Sequence, residues 1–317
     1  MEYKVSIIIP IYNVEKYIEE CLTSVISQSL TEGVECILVD DFSSDCSIDV
    51  AESFIKSYHG RISFKIIRHE CNLGPSQARN TGIRNSNGRY LFFLDSDDTI
   101  TNKCIESLYA LTEEYPLVQV VQGTYVKDNK GSLPYLPTYT EKHDVIKKWL
   151  LSYNGKVLVP HNRLIKRDLI FDKELFFRKD IIHEDNLWVF YLAKYVTYMA
   201  LCKEKTYYHR YNPNSITGNV NISKSVHSYR EIIMDMCSHI DPYLKGSQKE
   251  HILYTLITTV NAHFYETEKD KRQLIKTFAE TNIFYERWLL FLYFRIKNKY
   301  FKTKLSHFLI CLYKLTE

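Results

Sequence analysis

The stretch that most constrains the fold of this 317-residue chain is Arg89–Thr99, with the sequence RYLFFLDSDDT. Four consecutive apolar residues lead directly into Asp95, Asp97 and Asp98. An unbroken apolar run is typical of a strand buried on both faces, as in a parallel sheet. An isolated acidic triplet would suggest a surface turn. After a buried strand, however, it indicates a site, because open α/β sheets bind ligands at the carboxyl ends of their strands.

Strand and helix patterns alternate along the first hundred residues. Apolar or β-branched runs at Lys4–Pro10, Val34–Asp40 and Ile62–Arg68 predict three strands before the acidic one. Between the first two runs, residues 15–29 carry apolar side chains at the spacing of an amphipathic helix. Such alternation is typical of βαβ units. We therefore predict an α/β fold, Rossmann-like, with a mostly parallel sheet flanked by helices.

Beyond residue 100 the alternation continues and then loosens. Helices are predicted near residues 104–111, 143–152 and 184–195, strands near residues 117–126, 199–202 and 206–210, and a turn-rich loop at residues 129–140. From about Asn221 the pattern is helical only. We predict two parts, an α/β domain at residues 1–218 and a helical C-terminal extension at residues 219–317.

Composition excludes several classes of protein. The eight cysteines are scattered without a C-x-x-C pair, which argues against a zinc site and against a disulfide scaffold. No signal-peptide pattern opens the chain, and no apolar run reaches the roughly 18–20 residues of a membrane span. These observations predict a cytoplasmic location.

Polar motifs follow each of the four predicted strands. They are Pro10–Asn13, Asp40–Asp45, Asn72–Gly82 and Asp95–Asp98. If the strands are parallel, these motifs meet at one edge of the sheet. Carboxylate oxygens are hard ligands that suit Mg²⁺ or Mn²⁺, and such an ion can hold a diphosphate. The sequence therefore predicts a site for a divalent cation and a polyanion.

On these motifs and their order, roughly residues 4–218 resemble the inverting family-two glycosyltransferases of the GT-A fold. The resemblance implies transfer of a sugar from a nucleotide-sugar donor, UDP-linked, to a hydroxyl of a glycan or lipid-linked glycan in surface polysaccharide synthesis. It implies Mn²⁺ or Mg²⁺ as the cofactor. The nucleotide-binding residues that it implies are Pro10, Tyr12, Asn13, Asp41, Arg79, Asp95 and Asp97.

Within that set the resemblance implies particular roles. Pro10, Tyr12 and Asn13 would line the base and ribose, and Asp41 would accept the uracil imino proton. Asp97 and Asp98 would contact ribose and metal, with both as candidate metal ligands. The chain departs from the family at Phe42, where glycine is frequent.

Two carboxylates open the predicted helix at residues 184–195. Glu184 and Asp185 would each be favoured there by the positive end of the helix dipole, and that structural role suffices for one of them. The resemblance implies that Asp185 is the general base, since inverting transfer needs a carboxylate to remove the acceptor proton. Glu184 would orient the acceptor or the helix.

The last family-like element is residues 207–218. The resemblance implies a mobile loop that closes over a diphosphate through His209, Arg210 and Ser215. By itself the segment would be an ordinary strand and turn. His161 and His183 are interpreted as structural or acceptor-side residues.

Four other functions are alternatives to this one. A Rossmann dehydrogenase needs a G-x-G-x-x-G loop after the first strand, and a sugar-nucleotidyltransferase needs a similarly glycine-rich, basic loop; the loop here, PIYNVEK, has no glycine. A processive synthase would carry Q-x-x-R-W, but Phe284 stands where the glutamine would fall before Arg287 and Trp288, so a single-sugar transfer is predicted. A catalytically silent nucleotide-sugar-binding or scaffold protein with the same fold stays the alternative.

The C-terminal region is basic and aromatic. Residues 271–317 contain ten Lys or Arg and three Asp or Glu, and WLLFLYF at Trp288–Phe294 precedes a run of lysines. An amphipathic helix of this kind can lie on the inner face of the plasma membrane as a peripheral contact. A helical cap or an oligomer contact fits the pattern equally well. No recognised nucleic-acid-binding module accompanies the basic residues, so no nucleic-acid partner is predicted.

Overall fold

The computed structural model describes residues 3–126, 138–151, 159–212 and 222–240, together with residues 248, 251, 252 and 255. The strands are β1 (Val5–Ile11), β2 (Val34–Asp40), β3 (Ser63–Arg68), β4 (Tyr90–Phe93), β5 (Thr99–Ile100), β6 (Val120–Tyr125), β7 (Tyr139–Thr140), β8 (Arg163–Lys166) and β9 (Met199–Tyr208). The helices are α1 (Ile18–Ile26), α2 (Ser47–Ser57), α3 (Pro75–Arg84), α4 (Cys104–Glu114), α5 (His143–Leu151), α6 (Arg167–Asp172), α7 (Glu184–Tyr195) and α8 (Ile222–Ser238).

The nine strands of the described part form one sheet, in the order β3-β2-β1-β4-β8-β6-β9-β5, with β7 paired to β9. β3, β2, β1 and β4 are parallel to one another, so their carboxyl ends lie at one edge. Beyond β4 the sheet is mixed, because β8 runs antiparallel to both β4 and β6, while β6 and β9 are parallel. The predicted α/β fold with a mostly parallel sheet is confirmed.

Packing on the sheet follows the burial expected of central strands. β2 and β4 are buried along their whole lengths; the apolar sequence of β4 predicts this, and β2 also buries Glu35 and Asp40. On one face, α1 and α4 pack on the alternate side chains of β1. On the other face α3 approaches so closely that a Cβ at Gly82 would lie 2.3 Å from Cγ2 of Ile8. Glycine at this position therefore sets the distance between α3 and the sheet.

Several elements differ from the prediction. The two strands predicted near residues 199–202 and 206–210 form the single strand β9. β5, β7, β8 and α6 were not predicted, because elements of two to six residues carry too little periodicity to be recognised. α7 has the predicted bounds, and α8 confirms the helical pattern that begins near Asn221.

The chain divides into two compact units. The first comprises Met1–Ile146, Pro160–Asp180 and Tyr195–Gly218, and the second comprises Lys147–Val159, Ile181–Lys194 and Asn219–Glu317. The domain boundary at residue 218 stays a prediction, and the start of α7 belongs to the second unit. The basic segment after Trp288 and most of the loop at residues 129–140 lie outside the described residues. None of the helices in the described ranges is both long and apolar enough to cross a membrane.

Candidate active site

The loops after β1 and β2 are joined by side-chain hydrogen bonds. Asn13, at a φ of 51°, accepts the amide of Ser44 on its Oδ1 at 2.8 Å. Asp45 accepts the amide of Glu15 at 3.0 Å, and Glu15 in turn accepts the amide of Cys46 at 3.1 Å. These reciprocal bonds hold the two loops as one surface at the carboxyl edge of the parallel strands.

Asp41 is the first residue after β2; its amide donates to the carbonyl of Ile11 at 2.9 Å, and the residue is 3% exposed. Its Oδ1 accepts the amide of Leu73 at 2.9 Å, and its Oδ2 accepts the amide of Gly74 at 2.7 Å. Nδ1 of His69 lies 2.7 Å from the same Oδ1. The Asp41 carboxylate, to which the resemblance assigns the uracil contact, is thus held by His69, which follows β3, and by the amides of Leu73 and Gly74 before α3.

Three large apolar side chains around Asp41 are exposed: Tyr12 by 48%, Phe42 by 55% and Leu73 by 43%. Phe42 has a φ of 65°, in the left-handed region that favours glycine, which gives a physical reason for the frequent glycine at this turn. Pro10 is half-buried at the end of β1. The predicted nucleobase-side residues Pro10, Tyr12 and Asn13 therefore lie within one four-residue stretch, and the Asp41 amide donates to the carbonyl of Ile11 in that stretch.

Asp95 links the acidic motif to α3. Its Oδ1 accepts a hydrogen bond from Nη2 of Arg79 at 3.1 Å, and its Oδ2 lies 3.8 Å from Nε2 of His161. Burial raises the pKa of Asp95, but the positive charge of Arg79 and its hydrogen bond outweigh that effect and hold the pKa below its usual value. Asp95 is accordingly held in its ionised form.

Asp98 is the buried member and is 2% exposed. It accepts the hydroxyl of Tyr207 on Oδ2 and the amide of Arg210 on Oδ1, both at 2.7 Å. Burial, followed by the nearby charge of Asp95, raises the pKa of Asp98 to about 8. Without a cation beside it, this carboxyl group is mostly protonated at neutral pH.

Asp97 points to a different partner. Its Oδ2 accepts a hydrogen bond from Nδ2 of Asn212 at 2.9 Å. Burial, with a smaller contribution from Asp95, raises the pKa of Asp97 above its usual value. Asn212 and Arg210 therefore attach the segment after β9 to two of the three acidic side chains.

One group in the described part of the chain has the composition of a metal site, namely Asp95, Asp98 and His161, whose ligand atoms all lie within 4.8 Å of one another. Burial lowers the pKa of His161 to about 4, so the imidazole is neutral and can coordinate. Its Nδ1 bonds to the hydroxyl of Tyr125 at 3.1 Å, which leaves Nε2 facing Asp95. A cation at this position would replace the proton of Asp98 and stabilise its carboxylate, so these three side chains fit a divalent metal.

This group differs from the predicted pair of metal ligands. Asp98 belongs to it, whereas Asp97 does not, and the metal role of Asp97 stays a prediction. His161 was interpreted only as structural or acceptor-side. It precedes β8, a four-residue strand that periodicity does not reveal, so no signal in the sequence placed it beside the acidic motif.

The predicted diphosphate residues lie just after β9. The ring of His209 stacks on that of His161 at a centroid distance of 6.1 Å. The Arg210 guanidinium forms an ion pair with Glu20 and lies 5.3 Å above the ring of Tyr17, so it contacts α1. Ser215 lies outside the described residues.

Glu184 and Asp185 occupy the first turn of α7, within the second unit. Glu184 is buried, while Asp185 accepts the amide of Asn186 at 2.9 Å and is half-buried. The preceding His183 has a φ of 64°, and its Nε2 lies 2.8 Å from Oγ of Ser225 in α8. Burial lowers the pKa of His183 to about 4, in keeping with a neutral structural histidine. The base role of Asp185 and the orienting role of Glu184 stay predictions.

Known proteins are similar to this chain in sequence and in structure. The chain is 34% identical over 226 residues to the uncharacterized glycosyltransferase EpsJ of Bacillus subtilis (strain 168), covering 67% of this chain and 62% of EpsJ. It is 26% identical over 295 residues to the poly(ribitol-phosphate) beta-N-acetylglucosaminyltransferase TarP of Staphylococcus aureus (strain N315), covering 90% of this chain and 86% of TarP. The crystal structure of residues 1–349 of S. aureus TarS with UDP-GlcNAc matches with a TM-score of 0.69 and 21% identity, over 88% of this chain and 80% of that one.

The structural likeness confirms the predicted GT-A fold. The chain spans less than two thirds of the length of EpsJ. Residues 6–171, more than half of the chain, match the family model described as Glycosyl transferase family 2. The chain therefore belongs to glycosyl transferase family 2, as its strand-end motifs predicted.

Proposed function

We propose that this chain transfers a single sugar from a UDP-linked donor to a hydroxyl of a cell-surface glycan, with inversion at the anomeric carbon. The observation that carries the proposal is the group of Asp95, Asp98 and His161 at the same edge of the sheet as the buried Asp41 carboxylate. A nucleotide sugar needs both features, a contact for its base and a cation for its diphosphate.

The identity of the sugar donor is proposed from Asp41 and from the exposed aromatic side chains beside it. Tyr12 and Phe42 offer aromatic faces on which a base can stack, and Asp41 offers an acceptor for an imide N–H. TarS, which shares the fold, was crystallised with UDP-GlcNAc, and this supports a UDP-sugar as the first donor to test.

The metal is proposed to be Mn²⁺, held by Asp95, Asp98 and His161. Carboxylates suit both Mg²⁺ and Mn²⁺, but an imidazole ligand favours a transition metal over Mg²⁺. When bound, the ion would neutralise the charge that develops on the departing nucleoside diphosphate. Arg79, already bonded to Asp95, keeps that carboxylate ionised and available as a ligand.

Asp185 is the proposed general base. It takes the proton of the acceptor hydroxyl while the hydroxyl oxygen bonds to the anomeric carbon, and the bond from that carbon to the diphosphate oxygen breaks. Glu184 is buried at the start of α7 and orients the helix rather than accepting the proton. TarP is named for poly(ribitol-phosphate), so a polyol-phosphate polymer is the first acceptor to test for this chain.

The test combines donor binding with transfer. Calorimetric titration with UDP should give binding that requires Mn²⁺, and Asp185→Asn should keep that binding while transfer falls by about 10²–10⁴-fold. Asp172→Asn, a change of an exposed carboxylate at the end of α6, serves as the matched control and should transfer like the wild type. UDP binding without any transfer across UDP-sugars would support the silent scaffold instead. Unchanged transfer by Asp185→Asn would contradict the base assignment.

A further inference from the structure

His69 is buried between two side chains that hold both of its ring nitrogens. Nδ1 lies 2.7 Å from Oδ1 of Asp41, and Nε2 lies 2.9 Å from Oγ1 of Thr81 in α3. The His69 amide donates to the carbonyl of Asp40 at 2.9 Å, which fixes the backbone at the end of β3. The ring therefore connects the ends of β2 and β3 to α3, directly behind Asp41.

The chemistry of the groups determines the direction of these bonds. A carboxylate only accepts, so Nδ1 carries the proton and donates to Asp41. In the tautomer with the proton on Nδ1, Nε2 accepts from the Thr81 hydroxyl. Thr81 and Asp41 together leave His69 a single orientation.

The same bonds leave one oxygen of Asp41 with free capacity. Oδ1 accepts from His69 and from the amide of Leu73, whereas within the described part of the chain Oδ2 accepts only from the amide of Gly74. A carboxylate oxygen can accept about two hydrogen bonds. Oδ2 is thus the atom that can take one more donor. Phe42, the next residue in the chain, and Leu73, whose amide donates to Oδ1, both have exposed side chains.

We propose that His69 is a positioning residue that holds Asp41 with Oδ2 available to an imide N–H, and so sets the preference for uracil over cytosine. This inference rests on the proposed function. The N3 atom of uracil carries a hydrogen, whereas N3 of cytosine carries a lone pair that would face the carboxylate. Without His69, Oδ1 loses one of its two donors and only the Leu73 and Gly74 amides hold the carboxylate, so its orientation is less fixed and the distinction between the two bases weakens.

The experiment compares UDP and CDP in calorimetric titrations with Mn²⁺, and the kcat and KM for the donor. His69→Leu should reduce the ratio of UDP to CDP affinity by about tenfold and raise the donor KM, with kcat changed by less than about threefold. His69→Asn places an amide near the position of Nδ1 and should retain the ratio within about threefold. His59→Leu, at an exposed position before β3, is the matched control.

Thr81→Val removes only the bond to Nε2 and should lower the ratio by about threefold, which provides a test if His69→Leu does not fold. A folded His69→Leu protein with the wild-type ratio would overturn the inference, as would a fall in kcat at constant KM. In the wild type, equal binding of UDP and CDP would instead refute the proposed donor. The two failures are therefore distinguishable.

Discussion

Replacing Asp98 by Asn should stabilise the metal-free protein while removing its metal site. The pKa of Asp98 is raised to about 8 because the group is buried and close to Asp95, whereas in the unfolded chain the group has the ordinary value of about 3.9. As pH rises from about 4 to about 8, the unfolded chain releases this proton and the folded protein keeps it. Stability therefore decreases across that window, by about 4 kcal/mol at pH 7.

The Asp98→Asn side chain is neutral at every pH and avoids that cost. Its amide oxygen can accept the Arg210 amide, and its NH₂ group can donate to the Tyr207 hydroxyl, which must turn away from its present direction. We subtract about 2 kcal/mol for this rearrangement. The net stabilisation expected at pH 7 is about 2 kcal/mol. It should vanish near pH 5, because the wild type has lost less of its free energy of unfolding there and the loss no longer exceeds the cost of the rearrangement.

The assay is urea unfolding at pH 5 and pH 7 in EDTA, repeated at pH 7 with Mn²⁺. We expect Mn²⁺ to stabilise the wild type and to leave Asp98→Asn unchanged. Asp97→Asn is the informative comparison, because Asp97 is a predicted ligand that lies outside the group of three. The reasoning is refuted if Asp98→Asn is less stable than the wild type at pH 7 without metal, or if Mn²⁺ stabilises both proteins equally.

Two further predictions concern stability. Gly82→Ala should destabilise the protein by about 1–3 kcal/mol, because the new Cβ meets Cγ2 of Ile8 at 2.3 Å, and Ile8→Ala in the same chain should recover part of the loss in urea unfolding. Burial lowers the pKa of His251 to about 4, so the unfolded chain protonates first as pH falls, and stability is lost from about pH 6.5 down to about pH 4. Between pH 7 and pH 5 this residue should account for about 2 kcal/mol, and His251→Leu should show a correspondingly smaller acid loss. Equal acid losses in the two proteins would contradict the assignment.

Much of the first unit could be predicted because its signals are local. The apolar run before Asp95 forms β4, and alternation along the first hundred residues predicts the parallel strands β1 to β4. Strand-end motifs are recognisable for the same reason, since a carboxylate that follows a buried strand has a position that the strand itself determines. The predicted helix at residues 184–195 was correct in both bounds, where acidic residues mark its start.

The remainder of the site depends on contacts between distant residues. His161 reaches Asp95 across 66 positions only because β8 inserts antiparallel beside β4. Tyr207 reaches Asp98 because β9 pairs with the two-residue strand β5. Neither pairing leaves a periodic pattern in the sequence, since short strands gain their stability from neighbours rather than from local propensity.

Sequence by itself determined the family, the α/β class and the edge of the sheet at which Asp41, Asp95 and Asp98 gather. Only the tertiary structure decided that His161 completes a group with Asp95 and Asp98, and that His69 and Thr81 lie behind Asp41. The physical reason is burial. It makes a neutral imidazole and a protonated carboxyl group the favoured forms, and burial at these positions is a property of the packed fold rather than of any local stretch.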